Sequence, residues 1–234
     1  MCEIRVNKYL SEAGVCSRRA ADLLIRDGRV TINGLKVSAG DKVGKDDKVE
    51  LDGKEIKLQM KKILLAFNKP VGVVCTAYDP KSKDINIIDY IDYGERIFTV
   101  GRLDKGSEGL ILLTNDGELA DKISKSRNNH EKEYEVEVNK DIKGDFLRNM
   151  AEGVPVFDTI TKKCRVRKTG KRSFNIVLTQ GLNRQIRRMC EFFDYRVVSL
   201  KRIRIMNIKL GSLEKGKYRV VSGNEYDELI KGLG

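Results

Sequence analysis

The chain has 234 residues, 40% hydrophobic and 34% charged, with 46 Lys+Arg against 34 Asp+Glu. That apolar content can build a sizeable core and excludes wholesale disorder, while a net charge of +12 points to a polyanionic partner. No apolar run approaches the ~20 residues that span a bilayer, and the opening MCEIRVNKYL carries no signal peptide. Five scattered cysteines (Cys2, Cys16, Cys75, Cys164 and Cys190) form no CxxC pair and suit a reducing compartment. A cytoplasmic protein with no membrane partner is expected. The single histidine, His130, leaves no set of zinc ligands and little for a Ser-His-Asp or Cys-His mechanism. With neither GxxxxGK[ST] nor GxGxxG, nucleotide-driven chemistry has no cradle. Carboxylates, Lys, Arg, Tyr or hydroxyls must do the work.

Residues 1–60 read as a separate module. Asn7 can cap a short helix through Tyr9, Leu10 and Ala13, and Ser17 caps a second, SRRAADLLIRDG, with Ala20, Leu23 and Leu24 inward and Gly28 as its stop. RVTINGLKV is a hairpin about Asn33-Gly34, and KVELDGKEI adds a last strand. Arg18 and Arg19 open the second helix, where backbone N–H groups already favour phosphate, and Arg5 and Lys8 lie on a nearby element. The run RVNKYLSEAGVCSRRAADLLIRDGRVTINGLKV resembles the S4 RNA-binding domain, an α-hairpin followed by strands. With twelve basic and ten acidic residues, such a module would hold RNA by placed contacts more than by bulk field.

KLQMKK is the expected linker into residues 61–234. ILLAF and VGVVC read as strands joined by a turn at NKP, LILLT as a buried strand, and EYEVEV as a half-buried one that alternates strictly. FNIVLT is a strand. NRQIRRMCEFF is a helix capped by Asn183, RIRIMNIKL and KYRVV are strands, and SGNEYDELI is a helix with a capping box from Ser222 to Glu225. Many strands with few, unevenly placed helices argue for an α+β fold rather than a doubly wound one. The positive excess sits between residues 160 and 205, where fourteen Lys/Arg face two acids. The rest of the chain is neutral, so a phosphate-lined partner explains the excess better than a solvated face does.

The most specific stretch is GRLDKGSEGLILLTN, residues 101–115, an Asp between the strand IFTV and a Gly-rich turn. On the residues alone, the favoured reading is that Arg102 and Asp104 pin a turn by a salt bridge. The segment resembles, however, the signature of the pseudouridine synthases of the RsuA/RluB/RluE/RluF type, GRLDxx[ST]xG followed by apolar residues and TN or TD. NKPVGVV (68–74) is similar to that family's first motif, HEKEYEV (130–136) to its basic-x-Tyr strand, and QGLNRQIRRM (180–189) to its last motif. The resemblance spans essentially the whole chain, and NNHEKEY, GLNRQIRRMCEFF and RIRIMNIKL are most similar to the RluF branch.

The resemblance implies a small N-terminal S4 domain (1–60) followed by a mixed, largely antiparallel catalytic sheet domain (61–234). It places Asp104 on the catalytic aspartate, Arg102 on its neighbour, Tyr134 on the active-site tyrosine and Arg187 on the arginine that pairs with the aspartate. Ile186 would pack on the base or in the core. Gly106 departs from the pattern, standing where relatives often carry a polar or bulkier residue, and would loosen the turn. The implied reaction is the isomerisation of uridine to pseudouridine in a stem-loop of 23S ribosomal RNA, with a transfer RNA as second substrate and no metal or other cofactor. Asp104 would attack ribose C1′ or uracil C6, or serve as base at C2′. Lys162, Lys163, Arg165, Arg167, Arg184 and Arg188 would hold flanking RNA backbone, and a monomer is expected. Two other readings compete: a non-catalytic RNA-binding protein, which needs no carboxylate at position 104, and a metal-dependent nuclease, which needs clustered carboxylates around an ion.

Overall fold

The computed structural model describes residues 3–58, 61–75, 83–125 and 129–234. Cys2, and Gln59 and Met60 of the expected linker, lie outside these residues. The chain divides into two compact units: residues 1–62 with 94–97 and 115–117, and residues 63–93, 98–114 and 118–234. The first contains β1 (Ile4–Arg5), α1 (Val6–Glu12), α2 (Arg18–Arg26), β2 (Val30–Ile32), β3 (Leu35–Lys36), β4 (Lys42–Val43), β5 (Val49–Leu51) and β6 (Lys54–Glu55). Ser17 caps α2 by accepting the Ala20 N–H at 3.2 Å. Val6, Leu10, Ala21, Ile25, Val30, Val43 and Val49 form the core.

Three expectations for this unit are corrected. Asn7 is not a cap but lies inside α1, buried, and donates from Nδ2 to Asp22 Oδ1 at 2.7 Å. The inward face of α2 is centred on Ala21 and Ile25; Leu24 packs against the same core as expected, but Leu23 is 50% exposed. Both sets obey helical spacing, and contact with Val6 and Leu10 of α1 selects the phase. KVELDGKEI is two strands rather than one, because Asp52 and Gly53 at φ +51° and +75° turn β5 back on β6.

The second unit contains β7 (Leu64–Lys69), α3 (Ile87–Ile91), β8 (Phe98–Val100), β9 (Glu108–Thr114), α4 (Gly117–Ser124), β10 (Lys132–Val138) and α5 (Phe146–Glu152). It continues through β11 (Pro155–Val156), β12 (Thr159–Ile160), β13 (Arg165–Lys168), β14 (Ser173–Leu178), α6 (Gln185–Phe192), β15 (Val197–Ile205), β16 (Ile208–Lys209), β17 (Tyr218–Val220) and α7 (Gly223–Lys231). Nine of the described strands form one sheet, ordered β13-β14-β10-β15-β9-β7-β17, with β16 beside β15 and β8 beside β9. The pairings are antiparallel except β9 with β15, which run parallel through Glu108↔Lys201 and Gly109↔Arg202. The fold is therefore α+β with a largely antiparallel sheet, as expected.

Two cores pack on this sheet. One gathers Val136, Phe174, Met150, Ile186 and Met189 from β10, β14, α5 and α6; the other gathers Leu64, Leu110, Leu112, Ile123 and Leu229 from β7, β9, α4 and α7. Every residue of β7 is buried, which is why ILLAF reads as an unbroken apolar run. VGVVC, expected as a strand, makes a single bridge from Val74 to Asn86, because the chain turns at Val71 and Gly72. RIRIMNIKL is not one strand: β15 turns into β16 at Met206 and Asn207. The expected capping box is not formed: Ser222 precedes α7 without a side-chain cap bond, and Glu225 is held instead by Arg219 at 2.5 and 2.7 Å. No helix among the described residues is long and apolar enough to cross a bilayer.

Candidate active site

The loop 101–107 between β8 and β9 is fastened at both ends by arginines from distant elements. At its start, Arg202 of β15 donates from Nη1 to Arg102 O at 3.5 Å, while its Nε holds Leu110 O of β9 at 2.6 Å. At its end, Arg187 of α6 donates from Nη2 to Gly106 O at 2.7 Å and to Ser107 Oγ at 3.3 Å, and from Nη1 to Val197 O at 3.2 Å. The turn itself is closed by the Ser107 N–H on Asp104 O at 3.0 Å. Buried Leu103 and Ser107 anchor it inward, and Asp104 between them is half-buried. Among the described residues, neither the Asp104 carboxylate nor the Arg102 guanidinium makes a hydrogen bond or ion pair. The turn-pinning salt bridge is not formed. Arg187 likewise does not clasp the aspartate directly: burial lowers its pKa, neighbouring Arg184 adds to that, and Asp104 acts on it only through space.

Asp104 lines a cavity of about 200 Å³ with Arg102, Lys132, Tyr134, Arg184, Ile186 and Arg202. Arg187 is not in its wall. Tyr134, on β10 opposite Arg202 of β15, turns its ring to that guanidinium at 6.0 Å. Its hydroxyl has no hydrogen-bond partner among the described residues. Ile186 is 4% exposed and belongs at once to the cavity wall and to the core. Arg184 precedes α6 in the left-handed region at φ +50°, and the start of that helix is tied not by Asn183 but by Gln185, whose Oε1 accepts the Leu182 N–H at 3.0 Å. Among the described residues, Asp104 is the only acid in the cavity wall, against four cations.

Two cations of the cavity wall, Lys132 and Arg202, and one close to Asp104, Lys69, were given no role from the sequence, although Lys132 is the basic residue of the basic-x-Tyr motif. Lys69, fully buried at the end of β7, donates to Pro70 O at 2.9 Å and Val73 O at 2.8 Å. Burial holds it below the usual lysine range despite the nearby negative charge of Asp104 and Glu108. Lys132 is pushed down to about 8, first by burial and then by Arg202. Arg202 is 3% exposed, and its Nη2 has no partner. The signal for Lys132 was present: the alternation that places Tyr134, Val136 and Val138 on one face extends one step back to it.

The expected RNA-contacting residues are differently placed. Arg5, Arg18 and Arg19 are exposed in the first unit and make no side-chain bond among the described residues, whereas Lys8 is drawn to Glu12 at 3.6 Å. In the second unit Lys162 donates to Asn129 Oδ1 at 2.8 Å, Lys163 pairs with Glu152 at 2.5 Å and Arg165 with Glu131 at 2.7 Å. Arg167 is exposed on β13, at the sheet edge. Arg188 donates to Asn183 O at 3.2 Å and lies 4.0 Å above the Phe157 ring. Of this group only Arg184 reaches the cavity. Gly106 is unstrained, and a Cβ there would meet only Arg187 Nη2 at 3.8 Å, so the turn is held by Arg187 rather than loosened.

The profile of the RNA pseudouridylate synthase family matches residues 63–192, and that of the S4 domain residues 4–57. The chain belongs to the RNA pseudouridylate synthases. It is 48% identical to the dual-specificity RNA pseudouridine synthase RluF of Salmonella typhi, over 97% of this chain and 78% of that one. It is 47% identical to the protein of the same description from Escherichia coli K12, over 97% of this chain and 79% of the relative. A crystal structure of a pseudouridylate synthase superposes with a TM-score of 0.70 at 27% identity, covering 98% of this chain and 99% of that one. The protein is thus an RNA pseudouridine synthase whose substrate is RNA.

Proposed function

We propose that this synthase converts a uridine in a stem-loop of 23S ribosomal RNA to pseudouridine, with Asp104 as its nucleophile and a transfer RNA as second substrate. The dual specificity of its RluF relatives supports two RNA substrates for this chain. One observation carries the assignment of Asp104: a carboxylate with no ion pair or hydrogen bond among the described residues lines a cavity that also presents an aromatic face and a phenol without a partner among them. A carboxylate is a nucleophile in its own right and can attack without a base to activate it. Attack at C1′ or C6 loosens the C1′–N1 bond, the base turns, and C5 joins C1′. Tyr134 offers the uracil a stacking surface and a hydroxyl near the proton that must leave C5. The target must leave its stack to enter, at a cost of a few kcal/mol that is least in loops. The chain acts as a monomer in the cytoplasm, with Arg5, Arg18, Arg19 and Arg184 among the groups that meet RNA backbone.

The test is Asp104→Asn, nearly isosteric but uncharged. It is expected to abolish pseudouridine formation and to leave RNA affinity within about threefold of the wild type, because binding rests on the cations. Turnover above a few per cent, with no deamidation back to Asp, overturns the role. Excess EDTA is expected to leave turnover unchanged. Carbodiimide-dependent reverse-transcription stops in ribosomal and transfer RNA from a deletion strain identify the uridines.

A further inference from the structure

We propose that Lys132 is a further catalytic residue, a hydrogen-bond donor that stabilises the negative charge placed on the uracil carbonyls while the base is detached from C1′. The inference rests on pseudouridine formation itself and not on which RNA is modified. Its starting point is an imbalance of donors. The cavity wall holds Arg102, Lys132, Arg184 and Arg202 against Asp104 alone. Two of the four are largely withdrawn from solvent and have unused N–H groups: Arg202 Nη2 has no partner, and the Lys132 ammonium makes no hydrogen bond or ion pair among the described residues. Keeping unpaired cations in a partly dry cavity costs free energy, and the depressed pKa of Lys132 records that cost. Cations held so are matched to an anion that arrives later.

The reaction supplies that anion. When the Asp104 oxygen bonds to C1′, the C1′–N1 bond breaks and its electron pair passes into the uracil, delocalised over N1, O2 and O4. After the base turns, C5 attacks C1′ and the carboxylate departs with its pair; the C5 proton then leaves and N1 takes up a proton, so charge and atoms balance. Attack at C6 instead loads O4 first, so a carbonyl oxygen bears charge on either route. Lys132 and Tyr134 are two residues apart on one strand and so share a face, which brings the ammonium to the edge of a base stacked on the phenol ring. A donor placed where charge develops acts on turnover rather than on ground-state binding. Arg202 also lines the cavity, but its Nη2 is itself buried and its other nitrogens hold Leu110 and Arg102, so of these two cations Lys132 is the one that can be removed without loosening the loop.

The groups that face Lys132 are Arg202 on β15, Tyr134 on its own strand, Arg102 and Asp104 on the 101–107 loop, Arg184 before α6, and His130, whose own pKa burial lowers with a further contribution from Lys132. Since Lys132 loses its proton near pH 8, turnover is expected to fall as pH rises through that value.

The experiment measures tritium release from [5-³H]uridine in ribosomal and transfer RNA transcripts for the wild type, Lys132→Met and Lys132→Arg. Lys132→Met is expected to lower kcat on the order of 10²–10³-fold with KM within about threefold, while melting at a higher temperature than wild type. Lys132→Arg is expected to recover most of kcat and to lose the fall near pH 8, since guanidinium stays charged. Wild-type kcat in Lys132→Met, a defect confined to KM, or an alkaline fall that persists in Lys132→Arg overturns the proposal. If the wild type turns over neither RNA, the 23S and transfer-RNA reading fails, and ¹³Cε NMR of Lys132 decides this proposal. Added 5-fluorouracil, an acidic uracil, should then raise the Lys132 pKa; an unchanged titration overturns it.

Discussion

Lys132 makes the free-energy cost of this site visible in single-residue terms. Its pKa is about 8 in the folded protein against 10.5 for an ordinary lysine, so the folded state holds fewer protons than the unfolded chain between those values. Stability is therefore expected to rise with pH across that window, and the burden well below pH 8 is about 3 kcal/mol. Guanidinium melts between pH 7 and 10 should show this slope in the wild type and its loss in Lys132→Met. Tyr134→Phe keeps the stacking face and removes a hydroxyl that has no hydrogen-bond partner among the described residues, so stability should be unchanged and RNA binding normal while turnover falls. An active Phe variant would make Tyr134 a plain strand residue. Gly106→Ala should be tolerated, because its Cβ has room and its φ is ordinary. Asp104 was legible because its motif is local and contiguous. Lys69 and Arg202 were not, since what distinguishes them is burial, and a lysine or arginine in a sequence reads as solvated until the neighbours are known.

At the level of elements, strands announced by a continuous buried run or strict alternation were readable, and those made by a partner were not. VGVVC has strand composition, yet the turn at Gly72 leaves it one bridge. The short helices α3 and α5 carry five and seven residues, too few for a periodic signal. The closest fit between elements is the parallel crossing of β9 and β15. A Cβ on Gly109 would lie 2.3 Å from Arg202 O and 2.8 Å from Arg202 N, and Gly109 sits at φ +100°. Gly109→Ala should cost about 3 kcal/mol or more by denaturant melting. Any folded fraction should lose turnover as well, because the displaced backbone carries Arg202 with it. A glycine in a strand hinted at close approach, but nothing in the sequence named β15 as the partner.

Over the whole molecule, the charge excess between residues 160 and 205 correctly implied a polyanion, but not which cations are available to it. Lys163 and Arg165 already pair with Glu152 and Glu131, whereas Arg5, Arg18 and Arg19 are unengaged in a unit that is nearly neutral by count. Neutralising Arg18 and Arg19 together should reduce the salt slope of RNA binding by about 1.4, at about 0.7 for each contact on single-stranded RNA. Neutralising Lys163 and Arg165 should reduce it by less, since each removal also frees an acid. Fluorescence anisotropy with a labelled stem-loop at a series of salt concentrations makes the comparison; equal slopes would mean that the surface ion pairs open freely when RNA binds.

The parallel crossing also sets a timetable. The 101–107 loop is synthesised early, but the arginines that fasten it, Arg187 and Arg202, follow about eighty and a hundred residues later, at the separations of their bonds to Gly106 and Arg102. Such long-range pairing pays its loop-closure entropy before it gains contacts, which slows folding. During synthesis the first unit, built mainly on contacts within its first sixty residues, can close while the cavity still lacks a wall. A nascent chain could thus hold RNA long before it could modify it.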